Sequence, residues 1–274
     1  MASILEELFD LRGQVAIVTG SAGRLGSQYS TALARAGAKV AAFDLPRPDA
    51  NPAPEGEPLS LDVDIVDRAA VEAAVARVTA ELGTPTILVN NAGMGSSPAD
   101  AALETGPFED YPERAWDAMI DSHLKGTFFV SQAFIRAFRN GPPDPSRTGS
   151  IINVSSTYGL VTPDQSLYDY RRREGATYYK PVGYSVAKSG VLNFTRWLAE
   201  YCAPFGIRVN TLVPGGVRED GHAPEFIREY EKRTPLGRMA RPDDYNGAVL
   251  FLASRASAYM TGASLVVDGG WTAR

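Results

Sequence analysis

Short apolar runs alternate along the chain with longer stretches whose apolar positions recur at helical spacing, and glycines sit at many of the joins. Ser3 followed by Glu6 predicts a capping box and a short first helix that Gly13 stops. Val15-Ala-Ile-Val-Thr19 then reads as a buried strand ending in a glycine-rich turn, and residues 25–35 as the helix after it. Gly37 closes that helix, and residues 39–43 supply a second strand with Asp44 at its end. Five prolines between Pro46 and Pro58 predict an exposed loop, because proline suits neither a helix interior nor a central strand.

The alternation continues with a strand over 59–62, a helix over 66–82 closed by Gly83, and a strand over 86–89. One long helix is predicted over 112–138, then a proline-rich loop at 141–146, a strand over 150–154 and a helix over 182–202. A strand over 207–211, helices near 225–232 and 242–253, and a strand over 264–267 complete the pattern. Strands separated by helices pair in parallel through right-handed crossovers, with helices on both faces. The fold class is therefore α/β, a doubly wound parallel sheet. No repeat or separating linker interrupts it, so one domain is expected over 1–274.

Composition narrows the possibilities. The 274 residues are 44% hydrophobic and 22% charged, with no apolar stretch approaching the roughly 20 residues of a membrane span. Twenty-seven basic against 32 acidic side chains leave a net charge of -5 and no basic block, so neither nucleic acid nor membrane is an expected partner. Cys202 is alone and the histidines are His123 and His222, too few ligands for a Cys/His zinc site, so no metal is expected. An acidic N-terminus without a secretory pattern makes the expected location cytoplasmic. A hydrolase is disfavoured because no Gly-x-Ser-x-Gly elbow is present.

The candidate chemistry begins at Thr19-Gly20-Ser21-Ala22-Gly23-Arg24-Leu25-Gly26, between the first strand and first helix. Backbone N–H groups and the helix dipole there suit a pyrophosphate, with Gly20, Ser21, Gly23, Arg24 and Leu25 as the expected contacts. Asp44, 24 residues after Gly20, can accept hydrogen bonds from an adenosine ribose and would repel a 2'-phosphate. NAD is the expected cofactor and NADP the less favoured one, although Arg24 and Arg47 lie close in sequence.

Tyr184 and Lys188 are four apart on a predicted helix and share a face. Bringing a phenol from about 10 to about 7 requires roughly 4 kcal/mol of preference for the phenolate. One ammonium at about 4 Å supplies about 4 kcal/mol at an effective dielectric near 20, so Lys188 is expected to provide most of it. Tyr184 could then exchange a proton with a substrate hydroxyl at neutral pH.

With the glycine turn, Asn90-Asn91-Ala92-Gly93, Tyr184-Ser-Val-Ala-Lys188 and Pro214-Gly215 in this order, nearly the whole chain resembles the short-chain dehydrogenase/reductase family. The resemblance implies a Rossmann fold whose seven-stranded parallel sheet has the order 3-2-1-4-5-6-7, a nicotinamide cofactor, and a homodimer or homotetramer. It implies Asp62 and Val63 at the adenine, Asn91, Ala92 and Gly93 near the ribose, and Pro214, Gly215 and Val217 at the nicotinamide. Tyr184 would be the acid/base, Lys188 would also hold the ribose, and Ser156 would hydrogen-bond the reacting oxygen, with Ser155 the weaker candidate. Asn90 is open between cofactor binding and bracing the central strands.

Four departures from the family pattern stand out. His123 occupies the place of a helix asparagine that holds a water connecting the lysine to solvent; it is either a proton-carrying relay or a buried structural residue. Arg24 replaces a glycine and either meets adenosine or phosphate or faces solvent, and no threonine follows Pro214-Gly215. Lastly, 28 positions separate Ser156 from Tyr184, more than the family pattern, so an inserted substrate-side segment is expected at about 157–183. It is polar and tyrosine-rich, suited to a polyhydroxylated or anionic substrate, or else it is a subunit contact or a surface loop. Together with residues 234–239 and 267–271, it resembles a branch associated with sugar and sugar-acid pathways.

The expected function is NAD(H)-dependent interconversion of a secondary alcohol and a ketone on a sugar, sugar acid or nucleotide-linked sugar. The alternatives are a carbonyl reductase of acyl-thioester, polyketide or steroid-like substrates, and a catalytically silent cofactor-sensing protein.

Overall fold

The structure is a computed structural model that describes residues 3–46, 57–95 and 101–273. Seven strands form one parallel sheet: β1 Val15–Thr19, β2 Lys39–Asp44, β3 Leu59–Asp62, β4 Ile87–Asn90, β5 Gly149–Val154, β6 Ile207–Pro214 and β7 Ser264–Val267. Their order is β3-β2-β1-β4-β5-β6-β7, as the resemblance implies. The helices are α1 Ile4–Phe9, α2 Arg24–Arg35, α3 Arg68–Glu81, α4 Ala101–Glu104, α5 Glu113–Ile120 and α6 Gly126–Asn140. They continue with α7 Thr157–Leu160, α8 Asp169–Arg173, α9 Val182–Cys202, α10 Pro224–Arg233 and α11 Asn246–Ala253. Among the described residues, no helix is long and apolar enough to cross a membrane.

The strands read as continuous apolar runs because both faces of the sheet are covered. On one face Ile17, Leu88 and Ile151 pack against α3, α6 and α9 through Val75, Phe134 and Leu198. On the other, Val18, Val89 and Ile152 pack against α2 and α11 through Tyr29, Leu33 and Leu252. Each fully buried side chain of this kind stabilises the fold by roughly 1.5–3 kcal/mol. A buried polar chain crosses the centre. Asn90 Nδ2 donates to Asn153 Oδ1 (2.8 Å) and Ser131 Oγ (3.0 Å), and Asn153 Nδ2 donates to Thr195 Oγ1 (2.9 Å). Thr211 Oγ1 reaches Thr195 Oγ1 at 2.8 Å. Asn90 thus braces β4 against β5 and α6, in keeping with the structural of its two readings.

Several element boundaries differ from expectation for local reasons. The first helix ends at Phe9, before Gly13, which instead turns the chain at φ 81°. The third helix starts at Arg68 because the Asp67 carboxylate caps the amides of Ala69 and Ala70. The expected long helix over 112–138 is three pieces: α5, a π-helical turn at Asp121–Lys125, and α6. Gly126 N–H bonds back to Asp121 O, five residues earlier, and the widened turn carries His123. Most of the proline-rich loop, with Arg47, lies outside the described residues.

The inserted segment folds into α7, a 3-10 turn at Gln165–Tyr168, and α8. It docks on α10: Arg233 Nε donates to Asp164 Oδ2 (2.6 Å), and the Tyr168 ring stacks on Phe226 at 5.5 Å. Leu167, Tyr168, Tyr230 and Met239 form a third small core there. The sheet's strand order reverses between β1 and β4, and the glycine turn and the Asn90–Gly93 segment meet at that crevice.

Candidate active site

The glycine turn is built by close backbone approach. Gly20 sits at φ 66°, and a Cβ there would lie 2.8 Å from Ala92 Cα; one at Gly26 would lie 2.0 Å from Gly20 O. Asn91 Nδ2 donates to Thr19 O (3.0 Å) and Gly20 O (3.2 Å), while Thr19 Oγ1 accepts from the amides of Asn91 (3.1 Å) and Ala92 (3.0 Å). Thus Asn91 and Ala92 brace the turn. Ser21 points inward, its hydroxyl and its amide both donating to Phe43 O at 3.2 Å, so neither is left for an anion. Helix α2 follows Gly23 at its N-cap with no side-chain hydrogen bond there, and its first-turn amides suit a phosphate oxygen.

Asp44 ends β2 with Oδ2 accepting from Ala22 N (2.7 Å) and Oδ1 from Leu45 N (2.8 Å). Val63 N donates to Asp44 O at 2.8 Å, placing Asp62 and Val63 beside it. An uncapped helix start, a glycine cradle and an acidic strand end fit the pyrophosphate and ribose of a dinucleotide. Arg24 turns the other way and pairs with Glu219 across the crevice.

Beyond the turn opens a cavity of about 480 Å³, lined among others by His123, Ser156, Tyr184 and Lys188. Arg24, Leu25, Asn91 and Gly93 share its wall with Pro214, Gly215 and Val217. Gly20, Ser21, Gly23, Asp44, Asp62, Val63 and Ala92 are not on that wall; they belong to the turn and the strand ends beside it.

Tyr184 and Lys188 lie one turn apart on α9. Lys188 Nζ donates to Val154 O at 2.8 Å, and the ammonium is 5.9 Å from the Tyr184 ring centre. Ser155 is structural: its hydroxyl donates to Lys188 O at 2.7 Å. A Cβ at Gly159 would lie 2.5 Å from Ser155 Oγ, so that glycine lets α7 close on α9. Ser156 caps α7, accepting from Tyr158 N at 3.2 Å, and its hydroxyl meets Tyr184.

Burial dominates the titration of all three groups. It lowers Lys188 to about 8 and raises Tyr184 above the ordinary phenol value, with the Ser156 hydrogen bond pulling the phenol back. The expected pull of Lys188 on Tyr184 is not among the causes. His123 falls to about 3, from burial first and then from the Lys188 charge, opposed by its bond to Met94. Its Nε2 lies 2.9 Å from Met94 O, so Nε2 carries the proton and Nδ1 is the acceptor. The imidazole meets the Tyr184 ring edge-on at 5.5 Å. Of the two readings of His123, a buried, neutral imidazole bonded to Met94 O fits the structural one better than the proton-carrying relay. Gly93 makes room for it: a Cβ there would lie 2.1 Å from His123 Cε1.

Two tyrosines that the sequence reading missed hold the Pro214–Val217 segment. Tyr230 Oη accepts from Gly216 N (2.7 Å), and Tyr245 Oη donates to Gly215 O (2.9 Å). Trp271 stacks on Tyr230 at 4.3 Å, which gives the C-terminal aromatic its place. No local pattern marks them, since each acts on a backbone distant in sequence.

A family described as enoyl-(acyl carrier protein) reductase matches residues 20–272. D-threitol dehydrogenase of Mycolicibacterium smegmatis is 33% identical over 96% of this chain and 95% of its own length. Galactitol 2-dehydrogenase of Rhizobium johnstonii is 35% identical over 97% and 98%. The 3-oxoacyl-[acyl-carrier-protein] reductase FabG of Thermotoga maritima is 33% identical over 95% and 98%. Among solved structures, a short chain dehydrogenase from Leptospira borgpetersenii with bound NAD+ superposes with a TM-score of 0.82 at 31% identity, covering 99% of this chain and 96% of that one. A gluconate 5-dehydrogenase from Burkholderia cenocepacia in complex with NADP and tartrate gives 0.80 at 28% identity, covering 99% and 100%.

Proposed function

The chain belongs to the short-chain dehydrogenase/reductase family and is an oxidoreductase acting on CH–OH groups; from that premise we propose that it interconverts a secondary alcohol and a ketone on a small sugar, polyol or sugar acid, using NAD(H). The observation that carries the reading is the convergence of Ser156, Tyr184 and Lys188 on one cavity beside an uncapped helix start. When bound, the dinucleotide supplies the hydride acceptor or donor. Tyr184 holds or receives the proton at the substrate oxygen, and Ser156 Oγ orients that oxygen. Lys188, fixed to Val154 O, keeps a positive charge on the phenol's side of the site. His123 presses edge-on against Tyr184 and fixes the ring's direction.

The threitol and galactitol dehydrogenases and the gluconate 5-dehydrogenase support a polyhydroxylated substrate. Asp44 supports NAD, since its carboxylate would repel a 2'-phosphate, and Arg24 is engaged with Glu219. One solved relative carries NAD+ and another NADP, so the preference rests on these two residues. The stacked pair Trp197 and Tyr201, 64% and 45% exposed on α9, supports self-association. A second reading, reduction of a ketone on an acyl thioester, is favoured by the FabG relative and by Leu25, Met94, Phe226 and Met239 in the cavity wall.

The test follows nicotinamide absorbance with alditols, aldonates, simple alcohols and acetoacetyl thioesters, with NAD and with NADP. Turnover of a polyhydroxylated substrate, lost by roughly 10²–10⁴-fold in Tyr184→Phe with dinucleotide affinity retained, is the expected result. Turnover of thioesters alone would transfer the assignment to the second reading, and undiminished turnover in the variant would overturn the catalytic role of Tyr184.

A further inference from the structure

The substrate cavity is cationic in an acidic protein. Its wall carries Arg24, Arg171, Lys180 and Lys188 against a single carboxylate, Glu219, although the chain's net charge is -5. Most of these cations are engaged. Arg24 pairs with Glu219, Lys188 donates to Val154 O at 2.8 Å, and Arg171 donates to Tyr170 Oη at 3.1 Å while lying over the Tyr178 ring at 4.3 Å. Lys180 differs. Among the described residues its Nζ makes no hydrogen bond or ion pair; it hangs 5.1 Å from the centre of the Tyr184 ring.

The backbone that carries this ammonium is anchored at three successive residues, 178 to 180. Lys180 N donates to Gln165 Oε1 at 2.9 Å, and Tyr179 N donates to Thr105 O at 2.8 Å. Arg172 Nη1 holds Tyr178 O at 2.8 Å. Burial lowers the ammonium's pKa, opposed only in part by Glu219 and Glu104. A desolvated charge of this kind is stabilised by an anion that reaches it in the cavity.

We propose that Lys180 is the carboxylate-recognition residue of the site, selecting a polyhydroxy acid whose reacting carbinol lies a few bonds from its carboxylate. The geometry sets that separation, because the ammonium and the groups facing the reacting oxygen flank the same tyrosine ring. A monoanion suits one ammonium; a phosphate, carrying more than one negative charge at neutral pH, calls for further cations, and Arg24 and Arg171 on the wall are already engaged. The assignment rests on the proposed alcohol/ketone reaction at Tyr184 and narrows its substrate class.

The test is calorimetric titration of the NAD+-loaded enzyme with D-gluconate, D-glucitol and inorganic phosphate. Wild type should bind gluconate at least roughly tenfold more tightly than glucitol, the size of one charge-assisted hydrogen bond. Lys180→Gln should bring that ratio to near one, and Lys180→Arg should keep most of it. NAD+ affinity and melting of each variant check that the fold is retained. Equal binding of the two probes by wild type, no gluconate binding, a ratio untouched in Lys180→Gln, or phosphate displacing gluconate would each overturn the proposal. Failure of the underlying reaction is distinguishable: neutral polyols and acids would then both go without turnover, whatever the binding ratio.

Discussion

Replacing Lys188 by methionine separates what the ammonium does for the reaction from what it does to the fold. The side chain is 5% exposed, and burial brings its pKa from 10.5 to about 8. At about 1.36 kcal/mol per unit, the charged form is disfavoured in the fold by about 3 kcal/mol. The sign follows from proton counts. Below about 8 the folded and unfolded chains both carry the proton and the penalty is complete; between about 8 and 10.5 the unfolded chain binds the proton and the folded one sheds it, so stability rises with pH. Above 10.5 the penalty is gone. Methionine has a similar shape and no charge, but it leaves Val154 O without its donor, which costs about 1–3 kcal/mol. At neutral pH the two effects oppose, and Lys188→Met should unfold within about 2 kcal/mol of wild type while losing turnover. The difference between the proteins should then move by about 3 kcal/mol in favour of wild type from about pH 7 to about pH 11. Urea unfolding of the dinucleotide-free proteins at fixed concentration across that range measures it. Parallel curves, or a difference that moves the other way, would refute the assignment of a buried ammonium at this site.

Asp44→Ser should reduce the ratio of kcat/KM with NAD to that with NADP by roughly 10–100-fold, the range of a charged hydrogen bond; steady-state rates with both cofactors decide it, and an unchanged ratio removes Asp44 from ribose recognition. His123 has a pKa of about 3, so His123→Asn should leave the acid limb of kcat/KM unmoved above about pH 5. A limb present in wild type and absent from the variant would show that the imidazole titrates. Tyr230→Phe removes the acceptor for Gly216 N–H and should weaken dinucleotide binding by roughly fivefold, about 1 kcal/mol. Fluorescence titration checks this, and wild-type affinity would show that the hydroxyl does not position the segment.

The sheet was legible because its strands are short apolar runs set between glycine turns and helical spacings. β3 Leu59–Asp62, β7 Ser264–Val267 and α9 Val182–Cys202 fall where the pattern puts them. The π turn at Asp121–Lys125 was not legible, since one extra residue in a helix leaves the apolar spacing on either side intact. The inserted segment read as an open polar stretch because tyrosine and arginine count as polar in sequence. In the fold the apolar body of Tyr168 buries against Phe226 of α10, a helix far along the chain.

The site shows the same division between local and tertiary information. Spacing of four places Tyr184 and Lys188 on one helix face, and that juxtaposition holds in the structure. Spacing does not give the field, however. The sequence reading assigned the titration of Tyr184 to the charge of Lys188, whereas burial is the largest influence on Tyr184, Lys188 and His123 alike. Burial is set by what the insertion, the π turn and α10 bring over the site, none of which a local pattern records. Two ammonium groups therefore face one phenol at 5.1 and 5.9 Å with little solvent to screen them. Desolvation disfavours the charged form of each lysine and of the phenolate alike, whereas a negative charge arriving beside them favours both ammonium forms. The same negative charge disfavours the phenolate, so a carboxylate paired with Lys180 orients the acid at the site and leaves Lys188, already protonated below about 8, to favour proton loss at Tyr184.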